Sequence, residues 1–232
     1  MSRDIYASMS AASAAWTQLE VVANNLANSS TAGFKEQRVS FNLEGAMDDP
    51  LANVYVGTEL ASASFSDGSL VHDDVDTHLA LRGKGFFVAG DDNSQLLVRS
   101  GNFGFDAEGY LVTSSGMKVQ GQGGPIQMLP GEKLTVASDG TILDVDGQEM
   151  DKLRIVNATN LVPLGGTSWR ADSPTYEVEG VEIVQGALES SNTDAMRSMT
   201  ELMEASRYFE AYQKAMQTSD QLDGQLFQMI GG

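Results

Sequence analysis

Apolar residues recur with helical spacing at the two ends of the chain and with strand-like spacing between them. Near the start, Ile5, Met9, Ala12, Trp16, Leu19, Ala23 and Leu26 follow one another in steps of three and four. That is the a/d seam by which one helix packs on another. Near the end, Met199, Leu202, Ser206, Phe209 and Met216 form a second stripe, which then slips to Leu222, Leu226 and Met229. A slipping stripe is expected of a nearly straight helix with 3.6 residues per turn. The first helix is predicted to stop within Asn28-Ser29-Ser30-Thr31-Ala32-Gly33, where short polar side chains compete for backbone bonds and Gly33 can turn left-handed. The second is predicted to start near Ser190-Ser191-Asn192-Thr193-Asp194, a run of N-cap residues. The two helices read as mutual partners. Ala15, Val21 and Val22 lie off the first seam and are expected to stay exposed unless another copy of the chain covers them.

Glycine and proline sharpen this division. Residues 1–32 and 187–223 contain neither, while all five prolines lie between those segments. Since glycine costs about 1 kcal/mol and proline about 3 kcal/mol in a helix interior, the ends are helical and the middle is strands and turns. Leu79-Ala80-Leu81, Phe86-Phe87-Val88-Ala89, Leu96-Leu97-Val98 and Tyr110-Leu111-Val112 read as strands, and Thr141-Ile142-Leu143 as a short strand between two Asp-Gly turns. The predicted fold is α+β. Terminal helices (1–33 with 190–232) pair as a coiled-coil-like helical domain, extended linkers (34–75 and 166–189) lead away from it, and a small antiparallel β domain spans 76–165.

Charge follows the same partition. Of 232 residues, 14 are Lys or Arg and 32 Asp or Glu, giving −18; residues 36–186 carry −14 of this and the N-terminal 35 are neutral. An acidic chain repels phosphates, so nucleic acid is not an expected partner, and anionic membrane surfaces are disfavoured. No apolar run is long enough to span a bilayer, and the N-terminal residues lack the continuous apolar region of a secretory signal. Without cysteine there are no disulfides, thiolate metal sites or thiol nucleophiles.

Candidate chemistry is sparse. His72 and His78 bracket Asp73, Asp74 and Asp76 and could offer ligands to an ion, but a run from one loop reads better as a solvated acidic turn. Asp144-Val145-Asp146-Gly147 opens like a calcium loop and lacks the distal acid. Gly121-Gln122-Gly123-Gly124 is followed by Pro125 rather than a helix, which argues for a turn over a phosphate cradle. No catalytic residue, cofactor or metal is expected. A secreted β-domain peptidoglycan glycosidase stands as the rival from another class, and it would need two acids facing a sugar-sized cleft.

Three segments carry a family resemblance. Asn24, Asn25, Leu26, Asn28, Thr31, Gly33, Phe34 and Lys35 lie in a run that resembles the ANNLANxxTxGFK signature of bacterial flagellar rod and hook proteins. Gln185, Gly186, Leu188, Glu189 and Asn192 resemble that family's QGxLExSN element, and Gly83-Lys84-Gly85-Phe86-Phe87 its GxGFF segment. Where that family usually has a Tyr-Thr-Arg-x-Gly element, this chain departs from it, and Leu97-Val98-Arg99-Ser100-Gly101 keeps only the Arg and Gly. Residues 120–126 and 153–157 look more like the proximal than the distal rod type. The resemblance implies a non-enzymatic axial subunit of the periplasmic rod, exported by the flagellar type III apparatus without a cleaved signal peptide. Its partners would be copies of itself and other rod proteins. Ile5, Met9, Trp16, Leu19, Leu26, Leu202, Phe209, Met216 and Leu226 would pack within and between subunits. The Asn24 to Lys35 segment would form a capped elbow turning the chain out of the helical tube, its Asn side chains satisfying the helix end.

Overall fold

The computed structural model describes residues 3–44, 55–61, 63–91, 94–129, 132–144, 146–178 and 180–230. It is α+β, with a helix near each end, α1 (Arg3–Ala27) and α2 (Ala195–Ile230), and short strands between. Every pairing between those strands is antiparallel. The chain forms two units. One contains α1, residues 36–64 and the chain from Thr193 onward; the other contains Asn28–Lys35 and Phe65–Asn192. No helix among the described residues is long and apolar enough to cross a membrane.

In the helical unit the ends of both helices follow from local chemistry. α1 ends at Ala27, where the Asn-Ser-Ser run begins. α2 starts beyond Asp194, whose Oδ1 accepts the backbone N–H groups of Met196 at 2.9 Å and Arg197 at 3.2 Å, as an N-cap does. Arg197 then pairs with Glu201 one turn on, at 2.8 Å. The helices touch through Trp16 and Phe209, whose ring centroids lie 5.3 Å apart. A hairpin of β1 (Arg38–Glu44) and β2 (Tyr55–Ala61) packs against α1 in the register Arg38↔Ala61 to Glu44↔Tyr55.

This hairpin corrects one expectation. Ala15, Val21 and Val22 are buried within the single chain, at 6–7% exposure, together with Ala12 and Ala14. β1 supplies Val39 and Phe41 to the crevice that Val21 and Val22 line. No second copy is needed to cover them, because α1 carries two apolar faces, one toward α2 and one toward the hairpin.

The β unit is centred on Leu79, Leu81, Phe87, Phe103, Leu111, Val119, Ile126, Met128, Leu134, Val136, Ile142, Leu153 and Ile183. Phe87 and Phe103 meet edge to face with centroids 5.0 Å apart. The largest sheet has six strands in the order Leu161–Gly165, Ser168–Ala171, Ser94–Val98, Phe86–Asp91, Ile155–Asn157 and Tyr176–Glu177. Beside it Phe65, Phe86 and the buried Trp169 form an aromatic cluster. Two further pairings bring the end of this unit back to its beginning: Glu182–Gln185 on Leu79–Arg82, and Ala187–Glu189 on Leu70–His72.

Candidate functional site

Ala187–Glu189 is a three-residue strand, and its pairing with Leu70–His72 fixes the direction in which the Glu189 side chain leaves the backbone. That carboxylate is buried and accepts three strong bonds. Lys35 Nζ donates to Oε1 at 2.6 Å, the Gly68 N–H donates to the same oxygen at 2.8 Å, and Arg99 Nε donates to Oε2 at 2.6 Å. The side chains of Lys35, Arg99 and Glu189 are 1–3% exposed. Buried charges are tolerable only when paired and fully hydrogen-bonded.

Both cations make further bonds. Lys35 Nζ also donates to the Ser66 carbonyl at 2.8 Å. Arg99, the first residue past the strand Ser94–Val98, spreads its guanidinium over the carbonyls of Gly83 (2.8 Å), Gly85 (2.6 Å) and Leu81 (3.2 Å), and reaches Asp67 at 3.3 Å. A planar fork with five donors suits such a nest of acceptors, where an ammonium would not. Burial alone would raise the Glu189 carboxyl, but its bonds to Arg99, then Lys35 and Gly68, outweigh burial and hold it below the ordinary range. Burial lowers the Lys35 ammonium, and Glu189 offsets this only in part.

Backbone contacts close the site. The Gly33 N–H donates to the Glu189 carbonyl at 2.6 Å, and the Asn192 N–H to the Phe34 carbonyl at 3.4 Å. Asn192 Nδ2 donates to the Ser66 carbonyl at 3.1 Å and its hydroxyl at 3.0 Å. Gly33 has φ +71°, and a Cβ there would stand 2.6 Å from the backbone N and Cα of Ser100. At Gly101 a Cβ would overlap the Leu79 carbonyl oxygen. Both positions therefore require glycine, one for conformation and approach, the other for approach alone.

The sequence-predicted residues sort into three places. Gly33, Phe34, Lys35, Glu189 and Asn192 meet at this cluster, and Thr31 turns back on Asn28, its N–H donating to the Asn28 carbonyl at 3.0 Å. Gln185 and Gly186 lie one strand earlier. Gln185 Nε2 donates to the carbonyls of Asp76 and Leu134, both at 2.7 Å, and its Oε1 accepts the Val136 N–H at 3.0 Å. The Gly186 carbonyl accepts from Asp73 and Asp74, and Leu188 is half-buried. In the helical unit Asn25 is buried and brackets the Gln37 backbone, accepting its N–H at 2.9 Å and donating to its carbonyl at 2.7 Å. These bonds of Asn25 fasten the approach to β1 rather than cap the end of α1. Asn24 is exposed and Leu26 half-buried.

Of the helix-packing residues, Met9 and Trp16 are 54% and 47% exposed, and Leu19, Leu202, Phe209 and Met216 are half-buried. The side chains of Ile5 and Leu226 lie outside the described residues. Arg99 is visible in sequence only as the remnant of a motif; nothing local marks it as the partner of Glu189, 90 positions away.

Other candidate chemistry resolves into structure. His78 Nδ1 lies 2.6 Å from Asp73 Oδ2, and this bond holds the Asp73 carboxyl below its ordinary range. His72 sits exposed on a strand, and among the described residues no three potential ligands converge on a metal site. Asp139, Glu177 and Glu182 line a cleft with Lys152 and Arg154. Thr141 and Lys152 hold the Asp139 carboxyl below its ordinary range, opposite to what a general acid needs.

Three family descriptions match separate stretches of the chain. Residues 5–35 match "Flagella basal body rod protein", residues 80–148 "Flagellar hook protein FlgE/F/G D1 domain", and residues 184–229 "Flagellar basal body rod FlgEFG protein C-terminal". The flagellar basal-body rod protein FlgF of Salmonella typhimurium is 29% identical, over 99% of each chain. The rod protein FlgG of Bacillus subtilis is also 29% identical, over 96% of this chain and 97% of its own. FlgF of Caulobacter vibrioides is 28% identical, over 100% and 99%.

Proposed function

From a chain that belongs to the flagellar basal-body rod protein family, we propose a structural subunit of the bacterial flagellar basal-body rod, of the proximal FlgF type. It works by polymerisation rather than catalysis. Its terminal helices, 1–33 with 190–232, pair in coiled-coil fashion and pack with neighbouring copies and other rod proteins into a hollow drive shaft. That shaft carries motor torque for swimming. The β domain, built from Asn28–Lys35 and Phe65–Asn192, faces outward in the assembly, and its acidic surface stays solvated. The subunit reaches the periplasm through the flagellar type III apparatus, and a chain without cysteine suits that route.

The observation that carries this reading is apolar exposure along both helices. Met9 and Trp16 on α1, and Met196, Met199, Met203, Tyr208 and Leu222 on α2, are each 47–75% exposed. Large apolar side chains repeated along two helices of one unit are what a subunit surface awaiting neighbours presents. The proximal assignment rests on the resemblance of residues 120–126 and 153–157; the distal FlgG type is its competitor. Electron microscopy of purified basal bodies with a tagged subunit tests both parts. Label in the rod next to the inner ring is expected. Label restricted to the distal rod moves the assignment to FlgG, and basal bodies without label overturn the reading.

A further inference from the structure

The β unit is entered or left by the chain before Asn28, after Lys35, before Phe65 and after Asn192. Inside that unit three of these passages are tied to one another directly. Lys35 Nζ and Asn192 Nδ2 both donate to the Ser66 carbonyl, and the Asn192 N–H donates to the Phe34 carbonyl. The passage before Asn28 joins through the turn Asn28–Thr31–Phe34, in which the Thr31 N–H donates to the Asn28 carbonyl and the Phe34 N–H to that of Thr31. At the centre stands Glu189, whose three side-chain bonds go to Lys35 at the second passage, Gly68 just past the third, and Arg99. Arg99 carries the cluster into the sheet body through the carbonyls of Leu81, Gly83 and Gly85, and Phe65 packs beside it on Phe86 and Trp169. The hydrophobic core contains none of the passage residues.

We infer that Lys35, Glu189 and Arg99 form an ionic latch that ties the chain passages together on the β body and opens as one cooperative unit while the body stays folded. The physical ground is that the passages share one buried carboxylate. Once its bonds break, Lys35 and Arg99 lose their common acceptor, and a buried charge without a partner drives the segment toward water. The core is held by apolar packing and its own strand pairings, so it has no share in that event.

Residue-resolved native-state hydrogen exchange on the full chain tests this directly. The amides of Gly33, Gly68, Ser190 and Asn192 each donate a bond at the latch or beside it, whereas those of Leu111 and Val119 lie in the core. The four are expected to exchange with one common opening equilibrium and one denaturant dependence, both smaller than those of Leu111 and Val119. In Glu189→Gln the four should lose protection together by about a hundredfold or more, as for breaking a buried ion pair, while the core amides lose no more than the same factor and keep their larger denaturant dependence. Lys35→Met should move the same set by less. Four amides that open independently overturn the latch. So do four that open only together with the core, and so does a Lys35→Met chain in which Gly33 alone responds.

Discussion

Lys35 and Glu189 stand 154 positions apart in sequence, yet their charged atoms lie 2.6 Å apart at a site where both side chains are at most 2% exposed. One belongs to the N-terminal signature and the other to the C-terminal element. The pair explains why a short polar motif near each end of the chain occurs together with the other: each supplies half of a buried ionic contact, and Arg99 completes it. The side chains of Lys35, Arg99 and Glu189 are all turned toward the protein itself, as in a structural cluster.

Removing the anion should cost more than removing one cation. Glu189→Gln leaves Lys35 buried with no carboxylate and Arg99 with only the half-exposed Asp67, and a loss of about 3–5 kcal/mol is expected, the range for breaking a buried pair. Lys35→Met leaves Glu189 with Arg99 and the Gly68 N–H and should cost distinctly less. Denaturant melts of the full chain, followed by a probe in the β unit, give the ordering; equal losses would contradict it.

Gly33→Ala should destabilise by more than roughly 1–2 kcal/mol, the ordinary penalty for a left-handed residue carrying a Cβ, because steric overlap adds to conformation here. Its φ is +71° and the new carbon would meet Ser100 backbone at 2.6 Å. A thermal midpoint equal to that of the parent chain would show that the elbow does not pack as described.

The sign of the acid dependence follows from Glu189. Its folded pKa is lowered from 4.5, so the unfolded chain binds more protons in that window. The stabilisation it contributes is complete above 4.5 and is lost as pH falls through the lower folded value. Lys35 acts at the other end. Its folded pKa is lowered from 10.5, so its penalty is full below the folded value and is relieved as pH rises toward 10.5. Stability measured against pH should therefore rise with pH in both windows. Glu189→Gln should flatten the acid limb relative to the parent chain, and an unchanged acid limb in that variant would count against the assignment.

The two apolar faces of α1 should separate folding from assembly. Val22→Ala, at 6% exposure under the hairpin, should cost roughly 1–3 kcal/mol in the isolated chain. Met9→Ala, at 54% exposure, should change the stability of the isolated chain by less than about 0.5 kcal/mol. If polymerisation uses the exposed face, Met9→Ala weakens it all the same. The comparison needs only melts and a sedimentation measurement of polymer formation.

Structure is legible in this sequence wherever the chemistry is local. The stop of α1 after Ala27, the Asp194 cap of α2, and the strand Thr141–Leu143 between Gly140 and Gly147, both at positive φ, all follow from residues within a few positions. Two features are not legible, for the same reason. The second apolar face at Ala15, Val21 and Val22 acquires meaning only once a hairpin beginning at Arg38 folds back over it. The ionic cluster joins residues 35, 99 and 189, and no pattern within one segment announces that its cation and another segment's anion share a site. The charged residue inside each motif is the available hint, because a motif that specifies Lys, Arg or Glu beside glycine is specifying a partner as well as a turn.

Assembly through the terminal helices is the central claim. Trp16, 47% exposed and 5.3 Å from the Phe209 ring, is the position at which a charge would most directly oppose such packing. The decisive measurement is a count of rod-bearing basal bodies by electron microscopy in cells whose only copy carries Trp16→Asp or Phe209→Asp, with exchange protection of Leu111 and Val119 confirming an intact β unit. Few or no rods alongside a folded β unit are expected; rods of normal number and length from either variant would contradict assembly through these helices.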